Sequence, residues 1–298
     1  MPELPEVETV VRQLAPLATG RRIEEVRILD PLLRAGRPPA YRGRTVARLC
    51  RRGKWILFEL SGAEPLYLAC HLRMTGRLLW RGPDDPLPSH LRARIRLENG
   101  EVAFVDPRRL GRLAWTRDPA RLGPAGVDPM EPSFTVRRLA RLLAGSAQAI
   151  KPWLLRQDRL CGIGNIYASE ILHAARLDPR RAAGTLDAGE VRRLHRATRR
   201  VLASAIRMCG TTFSDFQDAR GASGRFQELL AVYGRDGRPC RRCGHPVRRI
   251  VQQQRSTFFC PACVGEGRRT GGPEKEKAGR DHGRLRKPSL SRSCSPRE

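Results

Sequence analysis

Residues 240–263 read CRRCGHPVRRIVQQQRSTFFCPAC and contain two Cys-x2-Cys pairs separated by sixteen residues. Four thiols at this spacing are typical of a structural zinc site built on a β-hairpin. All four positions of a tetrahedral ion would be filled by protein, so we expect one structural Zn2+ per chain and no catalytic water on it. The predicted ligands are Cys240, Cys243, Cys260 and Cys263. The hairpin between the pairs carries three arginines, which favours a ribbon that binds DNA.

The rest of the chain is also strongly basic. Its 298 residues include 57 Lys plus Arg against 30 Asp plus Glu, for a formal net charge of +27. Residues 264–298 hold ten basic and five acidic residues, so the remainder keeps 27 − 5 = +22. A bias in base composition would explain why Arg is used in place of Lys, but not the sign of the charge. Such an excess predicts a polyanionic partner, with nucleic acid the first candidate.

The distribution of apolar residues and cysteines predicts a cytoplasmic protein with no membrane segment. No run of about 18 apolar residues is present, and the acidic, Pro-rich start of the chain is the opposite of a secretory signal. The remaining cysteines are scattered singly along the chain, which is typical of reduced thiols rather than of a disulfide framework.

The N-terminal half is predicted to be one helix followed by β-structure. Over residues 5–19, apolar residues recur at helical spacing, Pro5 suits the first turn, and Glu6 is interpreted as a complement to the helix dipole. From Glu24 to Thr116 the chain changes to short β-branched and apolar runs. Asn99-Gly100 predicts a two-residue hairpin turn. The predicted strands are Val26–Leu29, Thr45–Cys50, Trp55–Leu60, Leu66–Leu72, Leu91–Leu97 and Val102–Val105.

The C-terminal half is predicted to begin with helices. Pro-rich residues 118–132 are typical of a linker, and a helical stripe of apolar residues follows from Val136 to Leu143. Two more helices are expected near 153–156 and 164–176, on either side of a Gly-rich break. Asp187 and Glu190 form a capping-box pattern that opens a further helix ending at Gly210.

Short segments along the chain, in order, resemble the formamidopyrimidine-DNA glycosylase family, and the resemblance covers residues 1 to about 264. The first is Pro2-Glu3-Leu4-Pro5-Glu6-Val7-Glu8-Thr9. The others are Arg52-Gly53-Lys54, His71-Leu72-Arg73-Met74-Thr75-Gly76, Asp106-Pro107-Arg108-Arg109, Ile150-Lys151-Pro152-Trp153-Leu154, Gly162-Ile163-Gly164-Asn165-Ile166-Tyr167-Ala168-Ser169-Glu170, Tyr233-Gly234-Arg235 and the cysteine ribbon with Arg255-Ser256-Thr257-Phe258-Phe259-Cys260.

The resemblance implies a catalytic N-terminus, and the chemistry of Pro2 supports that role. Once Met1 is removed, Pro2 presents an α-amine whose pKa of about 7.7–8.0 leaves far more of it unprotonated than a lysine amine. Such an amine can attack the sugar C1′ and form an iminium. Glu3 can then transfer protons. The resemblance further implies that Lys54 contacts the substrate phosphate or assists elimination, and that Arg255 clamps phosphates and assists the second elimination.

The resemblance also implies a set of DNA contacts. Residues Met74, Arg109 and Leu110 would fill the space left by a flipped nucleotide, with Arg109 facing the orphaned base. Leu110 departs from the family pattern, which usually has Phe there, and the segment Leu155-Arg156-Gln157 differs from the acidic residue common there. The segment Gln217–Phe226 occupies the place of the loop that covers the flipped base. The further predicted contacts are His90, Lys151 and Asn165.

The predicted fold class is α+β. We expect an N-terminal β-sandwich domain with flanking helices over 1–130, a helical helix-two-turn-helix domain over 131–235, a zinc ribbon over 236–264 and a disordered basic tail over 265–298. The predicted partner is duplex DNA that contains oxidised bases or abasic sites, bound by a monomer in the cytoplasm at the nucleoid.

The predicted activity is excision of oxidised purines followed by cleavage of the strand. Two alternatives remain open at this point. One is an endonuclease VIII-like enzyme for oxidised pyrimidines, against which Leu4 and Arg109 argue. The other is a non-catalytic zinc-ribbon protein that keeps the fold, which borohydride trapping on abasic DNA would distinguish from an enzyme.

Overall fold

The computed structural model describes residues 1–33, 39–123, 126–212 and 216–265. Met1–Gly267 form one compact unit. The predicted disordered tail over 265–298 lies, apart from Gly265, outside the described residues. In the described part of the chain, no helix is both long enough and apolar enough to cross a membrane.

The first helix, α1 (Leu4–Ala18), confirms the helix predicted over residues 5–19. Pro5 lies in its first turn, where a missing N–H costs nothing, and Gly20 follows its end with a φ of +79°. The apolar side of α1 is buried through Val7, Val10 and Leu14. This side packs on the β-structure that follows, so the N-terminus is held against the body of the protein.

Two four-stranded antiparallel sheets follow α1. One has the order β1-β6-β7-β5 and the other the order β2-β3-β4-β8. Side chains from both sheets and from α1 share one apolar core, which is the arrangement of a β-sandwich. The strands are β1 (Ile23–Ile28), β2 (Val46–Arg52), β3 (Trp55–Leu60), β4 (Leu66–His71), β5 (Arg77–Arg81), β6 (Leu91–Leu97), β7 (Gly100–Val105) and β8 (Arg112–Thr116).

The hairpin between β6 and β7 differs by one residue from the prediction. Leu97 pairs with Gly100, so Glu98 and Asn99 are the two turn residues and Gly100 is the first residue of β7. Gly100 has a φ of +155°, and a Cβ there would lie 2.5 Å from the ring of Trp80. The glycine is therefore needed for its close approach to β5, and the predicted turn at Asn99-Gly100 was wrong in register.

The helical half has its own apolar core. Its elements are α2 (Val136–Leu143), α3 (Ile150–Leu154), α4 (Asn165–Ala175) and α5 (Ala188–Arg207). The predicted capping box is confirmed, because the Asp187 side chain accepts the Glu190 N–H at 2.8 Å and the Glu190 side chain accepts the Asp187 N–H at 2.9 Å. The helix predicted near 153–156 lies slightly earlier, at Ile150–Leu154.

Each half of the chain contributes side chains to the apolar core of the other half. Leu4, from the start of α1, is buried in the helical core. In return, Phe216 and Ala219, which follow α5, are buried in the β-sandwich core. The N-terminal residues are therefore fixed by both halves of the chain. The domain boundaries near 130 and 235 stay predictions.

The ribbon is a hairpin of β9 (Arg248–Gln252) and β10 (Arg255–Phe259), followed by the short helix α6 (Pro261–Val264). Gln253 and Gln254 form its turn, both with positive φ. Strand β10 packs against α4. The hairpin tip is thereby carried to the same side of the protein as the N-terminus of α4.

Candidate active site and nucleic-acid interface

A cleft of about 610 Å3 opens at the N-terminus of the chain. Met1 lies in this cleft, and the buried Pro2 follows directly behind it. The volume of the cleft falls in the range of about 300–1,000 Å3 that is usual for ligand sites. The cleft is rich in cations, which suits an anionic substrate. Its basic members are Arg51, Arg52, Lys54, Arg73, Arg112 and Arg255.

The carboxylate of Glu3 caps helix α4 rather than its own helix. It accepts the backbone N–H groups of Gly164 at 2.7 Å, Ile166 at 3.0 Å and Tyr167 at 3.4 Å. Burial raises the pKa of Glu3, while the Lys54 ammonium and the three N–H groups act in the opposite direction. Glu3 is therefore a buried acid with a strengthened hold on its proton, fixed by the second half of the chain.

Glu6 lies directly behind Glu3 in the interior. Its Oε2 accepts the Glu3 N–H at 2.8 Å, and its Oε1 accepts the Thr211 N–H at 2.7 Å and the Tyr167 hydroxyl at 2.5 Å. The side chain is 1 % exposed, and burial together with the neighbouring Glu3 raises the pKa of Glu6 to about 7. Glu6 lies in the first turn of α1, where a complement to the helix dipole is expected, and its carboxylate also binds buried groups from the second half of the chain.

Lys54 follows Gly53 in the tight turn between β2 and β3. Gly53 has a φ of +57°, which a residue with a side chain rarely adopts. Burial lowers the pKa of Lys54, and the positive charge of Arg255 lowers it further, whereas the Glu3 carboxylate raises it. The structure thus brings three of the predicted catalytic residues, Glu3, Lys54 and Arg255, into electrostatic contact.

Arg255 begins β10 at the tip of the ribbon hairpin, where it is exposed and lines the cleft. In the described residues it has no ion-pair partner. The two-residue turn of Gln253 and Gln254 before it aims the hairpin tip toward the cleft. A guanidinium in this position is free to receive a phosphate.

Lys151 is placed differently from the prediction of a direct DNA contact. The residue is 0 % exposed, and its Nζ donates to Asn165 Oδ1 at 2.7 Å, to the Ser256 carbonyl at 2.7 Å and to Thr257 Oγ1 at 2.8 Å. These three bonds use all three of its N–H donors. Burial, with Arg255 nearby, lowers its pKa to about 8. The lysine therefore holds α4 and the ribbon together instead of facing DNA.

Asn165 is the first residue of α4, at the break between α3 and α4. Its Nδ2 donates to the Ser256 carbonyl at 3.1 Å, so the side chain is fixed from the ribbon side as well as by Lys151. Helix N-termini attract phosphate groups through their free N–H groups and the helix dipole. The position is therefore suited to the predicted phosphate contact, although Glu3 already occupies part of the same helix end.

The four cysteines of the ribbon meet at one point, with all four Sγ atoms within 4.8 Å of one another. Sγ–Sγ distances are 3.8 Å for Cys240 and Cys263, 3.5 Å for Cys243 and Cys260, and 3.5 Å for Cys243 and Cys263. Four sulfurs at about 2.3 Å from a tetrahedral zinc would be about 3.8 Å apart. The donor set therefore fits one zinc ion.

The predicted void-filling residues lie on two neighbouring loops. Met74 is 42 % exposed in the loop after β4, and Leu110 is 43 % exposed in the loop after β7. The buried Asp106 joins these loops, since its carboxylate accepts the Thr75 hydroxyl and the Gly111 N–H. Sequence reasoning had assigned no role to this aspartate.

Arg109 lies on the second of these loops in the left-handed region, with a φ of +56°. Its guanidinium makes two parallel bonds to Asp30, from Nε at 2.6 Å and from Nη2 at 2.7 Å. The hydrogen bonds from Arg109 hold the pKa of Asp30 at about 2. The exposed His90 is near the same loops, because its carbonyl accepts the Asp106 N–H at 3.0 Å. Asp30 was also missed by sequence reasoning.

Arg51 ties the two halves of the chain together beside the cleft. Its buried guanidinium donates to Glu8 in α1 at 2.8 Å and to Asp128 at 2.5 Å and 3.3 Å. These partners are 43 and 77 residues away in the sequence, so no local pattern indicated them.

The segment Gln217–Phe226, predicted to cover a flipped base, is attached to the N-terminal half. Gln13 of α1 donates to the Asp218 carboxylate at 2.8 Å and accepts the Ala219 N–H at 2.9 Å. The edge of the sheet takes part, since the Trp80 N–H donates to the Ala219 carbonyl at 2.9 Å. The segment is thus seated on α1 and β5.

Gln157 belongs to the segment Leu155-Arg156-Gln157, which differs from the family pattern, and its side chain makes three hydrogen bonds. Its amide donates to the Leu155 and Ile163 carbonyls and accepts the Gly162 N–H. The glutamine therefore fixes the turn before α4, and it lines the cleft.

Comparison with known proteins places all of these elements in one family. Residues 1–113 match the formamidopyrimidine-DNA glycosylase N-terminal domain, residues 125–217 match the formamidopyrimidine-DNA glycosylase H2TH domain, and residues 237–264 match a zinc finger found in FPG and IleRS. A formamidopyrimidine-DNA glycosylase of Symbiobacterium thermophilum is 43% identical over 280 residues, covering 90% of this chain and 91% of that protein.

Solved structures give the same result. The crystal structure of the MutM (Fpg) protein of Thermus thermophilus matches with a TM-score of 0.79 and 43% identity, covering 89% of this chain and 99% of the other. A complex of Lactococcus lactis Fpg with DNA containing an abasic site matches with a TM-score of 0.78 and 31% identity, covering 88% and 98% of the two chains. The predicted α+β fold is confirmed, and the chain belongs to the formamidopyrimidine-DNA glycosylase family.

Proposed function

We propose that this protein excises oxidised purines, such as formamidopyrimidines and 8-oxoguanine, from duplex DNA and then cleaves the strand at the resulting abasic site. The single observation that carries the proposal is the position of the N-terminus. Met1 projects into a cation-rich cleft, and Pro2 lies between it and the buried acid Glu3. Removal of Met1 would open the cleft directly onto the Pro2 amine. We propose that the enzyme acts on DNA at the nucleoid.

The chemistry begins with the Pro2 amine. Its lone pair attacks C1′ of the damaged nucleotide, the glycosidic bond breaks, and the electron pair leaves with the base, which takes up a proton. After the nitrogen loses its proton, its lone pair breaks the C1′–O4′ bond, the ring oxygen takes up a proton and becomes a hydroxyl, and an iminium remains between Pro2 and C1′. This cation withdraws electrons from C2′, so loss of a C2′ proton expels the 3′ phosphate, and a second elimination expels the 5′ phosphate. Water then hydrolyses the iminium and releases the amine.

Glu3 is proposed as the residue that moves protons in these steps. Burial raises its pKa and so strengthens its hold on a proton, and its three N–H partners keep the carboxyl group in one orientation. Lys54 shares the cleft and is proposed to contact the phosphate or to assist elimination. Arg255 is proposed to bind phosphate and to assist the second elimination.

The remaining residues are proposed to hold the duplex. Asn165 would grip phosphate at the start of α4 and His90 would contact the backbone. Met74, Leu110 and Arg109 would enter the stack from their exposed loops, as side chains do in proteins that kink DNA or flip a base. Leu110 is apolar but cannot stack as an aromatic ring does, so lesion search depends more heavily on Met74 and Arg109. One protein molecule suffices for this arrangement, and we propose that the enzyme acts as a monomer.

Cys240, Cys243, Cys260 and Cys263 would hold the zinc ion, which supplies structural cross-linking of the ribbon and leaves no open position for substrate. With the ribbon folded, Arg255 and the acceptors of Lys151 are in place. The role of the metal in this proposal is therefore to support the hairpin.

The test is borohydride trapping on duplex DNA with one abasic site, followed by mass mapping of the crosslink. Protein with a processed N-terminus should give a covalent adduct on Pro2. A matched protein with one extra residue before Pro2 should give none while it stays folded, because the amine becomes an amide whose lone pair is delocalised. An undiminished crosslink on Lys54 in the extended protein would refute the Pro2 mechanism.

Glu3→Gln provides a second arm of the test. It keeps the amine but removes the proton transfer, so excision of an oxidised purine should fall more than cleavage of DNA that already lacks the base. Equal losses on the two substrates would contradict the role given to Glu3.

A further inference from the structure

The solvent side of helix α5 carries a continuous row of arginines. With 3.6 residues per turn, Arg192, Arg196, Arg200 and Arg207 fall within about 80° of one another and extend over about 22 Å of helix. All four side chains are exposed. We call these four residues the α5 stripe. They lie opposite the buried face of the helix, which is formed by Val191, Leu194, Ala197, Thr198, Leu202, Ala205 and Ile206.

The stripe lacks the acidic neighbours that accompany arginines elsewhere in this protein. On the N-terminal half, several exposed arginines are paired across strands or loops: Arg48 with Glu59 at 3.0 Å, Arg96 with Glu24 at 3.2 Å and Arg21 with Glu98 at 3.7 Å. Within the described residues, no ion pair involves any member of the stripe. The stripe is distinguished by the arrangement of four such arginines along one side of a single helix.

Like charges at i and i+4 destabilise a helix, and the stripe contains two such pairs, Arg192 with Arg196 and Arg196 with Arg200. Helix α2 packs against α5 and adds three more exposed arginines without an acidic residue of its own, namely Arg137, Arg138 and Arg141. An anion bound along this surface would relieve the repulsion.

The form of the stripe indicates which anion fits. Arg192, Arg196 and Arg200 follow one another at four-residue intervals, about 6 Å apart along the helix, and Arg207 lies about 10 Å further along the same side, giving a straight row of charges. Between them lie Arg199 and the small residue Ala203, with no large apolar side chain in the row. Protein interfaces bury an apolar core, whereas duplex DNA presents rows of phosphates to a positively charged and polar surface. The row therefore fits a phosphate backbone better than an acidic protein.

The cleft and the stripe are separate surfaces, because no described residue of α5 lines the cleft. We propose that the α5 stripe binds the backbone of a second duplex segment while the cleft holds the first. The binding of the first duplex segment in the cleft rests on the proposed function. An enzyme with two such surfaces passes directly from one segment of DNA to another without a period free in solution.

The experiment compares two triple variants that each remove three positive charges. The stripe variant is Arg192→Gln, Arg196→Gln and Arg200→Gln, and the matched control is Arg21→Gln, Arg48→Gln and Arg96→Gln, at the paired positions. Capture of a fluorescent undamaged duplex by protein held on a bead-bound duplex measures bridging. The dissociation rate from a labelled duplex, measured against rising concentrations of unlabelled duplex, reports direct transfer.

We expect bridging and transfer in the wild type and in the control, and loss of both in the stripe variant. The salt dependence of second-duplex binding should fall by about 2.7 in logarithmic slope, for three phosphate contacts at about 0.9 each. Single-turnover cleavage of a short duplex with one abasic site should be unchanged in both variants. Since bridging is measured on undamaged DNA, it is independent of whether the proposed chemistry is correct.

Equal bridging by the stripe variant and the wild type would overturn the proposal. Equal losses in the two variants would also overturn it, because net charge alone would then be responsible. A third contrary result is the absence of bridging in the wild type together with stripe-dependent binding of a polyglutamate peptide, which would assign the surface to an acidic protein.

Discussion

Replacing Glu6 with glutamine should change how the stability of this protein depends on pH. In the folded protein the pKa of Glu6 is about 7, against an ordinary value of 4.5. The folded state therefore binds this proton more tightly than the unfolded chain. The resulting stabilisation is complete below about pH 4.5 and is lost as the pH rises through 7.

The size of the effect follows from the shift. Each pKa unit corresponds to about 1.4 kcal/mol, so the wild type should lose about 2 kcal/mol of this stabilisation by pH 6 and about 3 kcal/mol by pH 8.5. Glutamine does not titrate, so the variant does not lose this stabilisation as the pH rises. It does place an amide group against the Glu3 N–H, the Thr211 N–H or the Tyr167 hydroxyl, and a buried donor left without an acceptor costs about 1–3 kcal/mol at every pH.

The Glu6→Gln protein should therefore be less stable than the wild type at pH 6 and should recover by about 1 kcal/mol relative to it at pH 8.5. For a protein of this size that is a relative shift in Tm of about 2–4 °C. Urea denaturation of both proteins with zinc present, at several values between pH 6 and 8.5, measures the difference. Staying above pH 6 limits loss of zinc through protonation of the cysteines.

A control comes from the neighbouring carboxyl group. Glu3 is the second-largest cause of the raised pKa of Glu6, so Glu3→Gln should lower that pKa and reduce the pH dependence. The two carboxyl groups titrate as a coupled pair, and both are shifted upward, so the expected sign is the same for either assignment of the proton. Parallel stability profiles for the wild type and Glu6→Gln would refute the reasoning.

Two further predictions concern the metal and the opposite base. Cys260→Ala should reduce the zinc content from about one ion per chain to none and abolish DNA binding, because a ribbon this small has little core without its metal. Metal analysis together with a DNA-binding assay checks this prediction. A zinc-free protein with full DNA affinity would contradict it. Asp30→Asn should weaken the two-bond hold on Arg109, which is proposed to face the orphaned base, and so change the ratio of excision rates opposite cytosine and adenine several-fold. Measuring this ratio checks the prediction, and an unchanged ratio would show that Asp30 does not position the arginine.

The features that could be predicted from the sequence are those with local causes. The zinc ligands follow from two short Cys spacings, and the capping box of Asp187 and Glu190 follows from residues three apart. The role of Pro2 stays a proposal, which rests on the chemistry of an α-amine and not on a partner elsewhere in the chain. In each case the residues that matter are close together in sequence or need no partner.

The features that were missed depend on partners far along the chain. From the sequence, Lys151 was predicted to be a DNA contact. Its burial could not be predicted, because its acceptors Ser256 and Thr257 are more than 100 residues away in the sequence. Strand β5 was not among the predicted strands, and its buried Arg81 pairs with Glu101 of β7, twenty residues further along the chain. The same holds for Asp106, whose role lies in joining two loops.

The close contact between the two halves also determines which substitutions the enzyme tolerates. A Cβ at Gly164 would lie 2.4 Å from the Glu3 carboxyl carbon, and one at Gly210 would lie 2.7 Å from a Glu6 oxygen. In a library of random substitutions, these two glycines would be as intolerant as the acidic residues they face, although neither carries a reactive group. Exchange of the helical half with that of a relative would succeed only where the incoming segment keeps glycine at both places. The N-terminal sequence and these distant glycines are therefore constrained to change together during evolution.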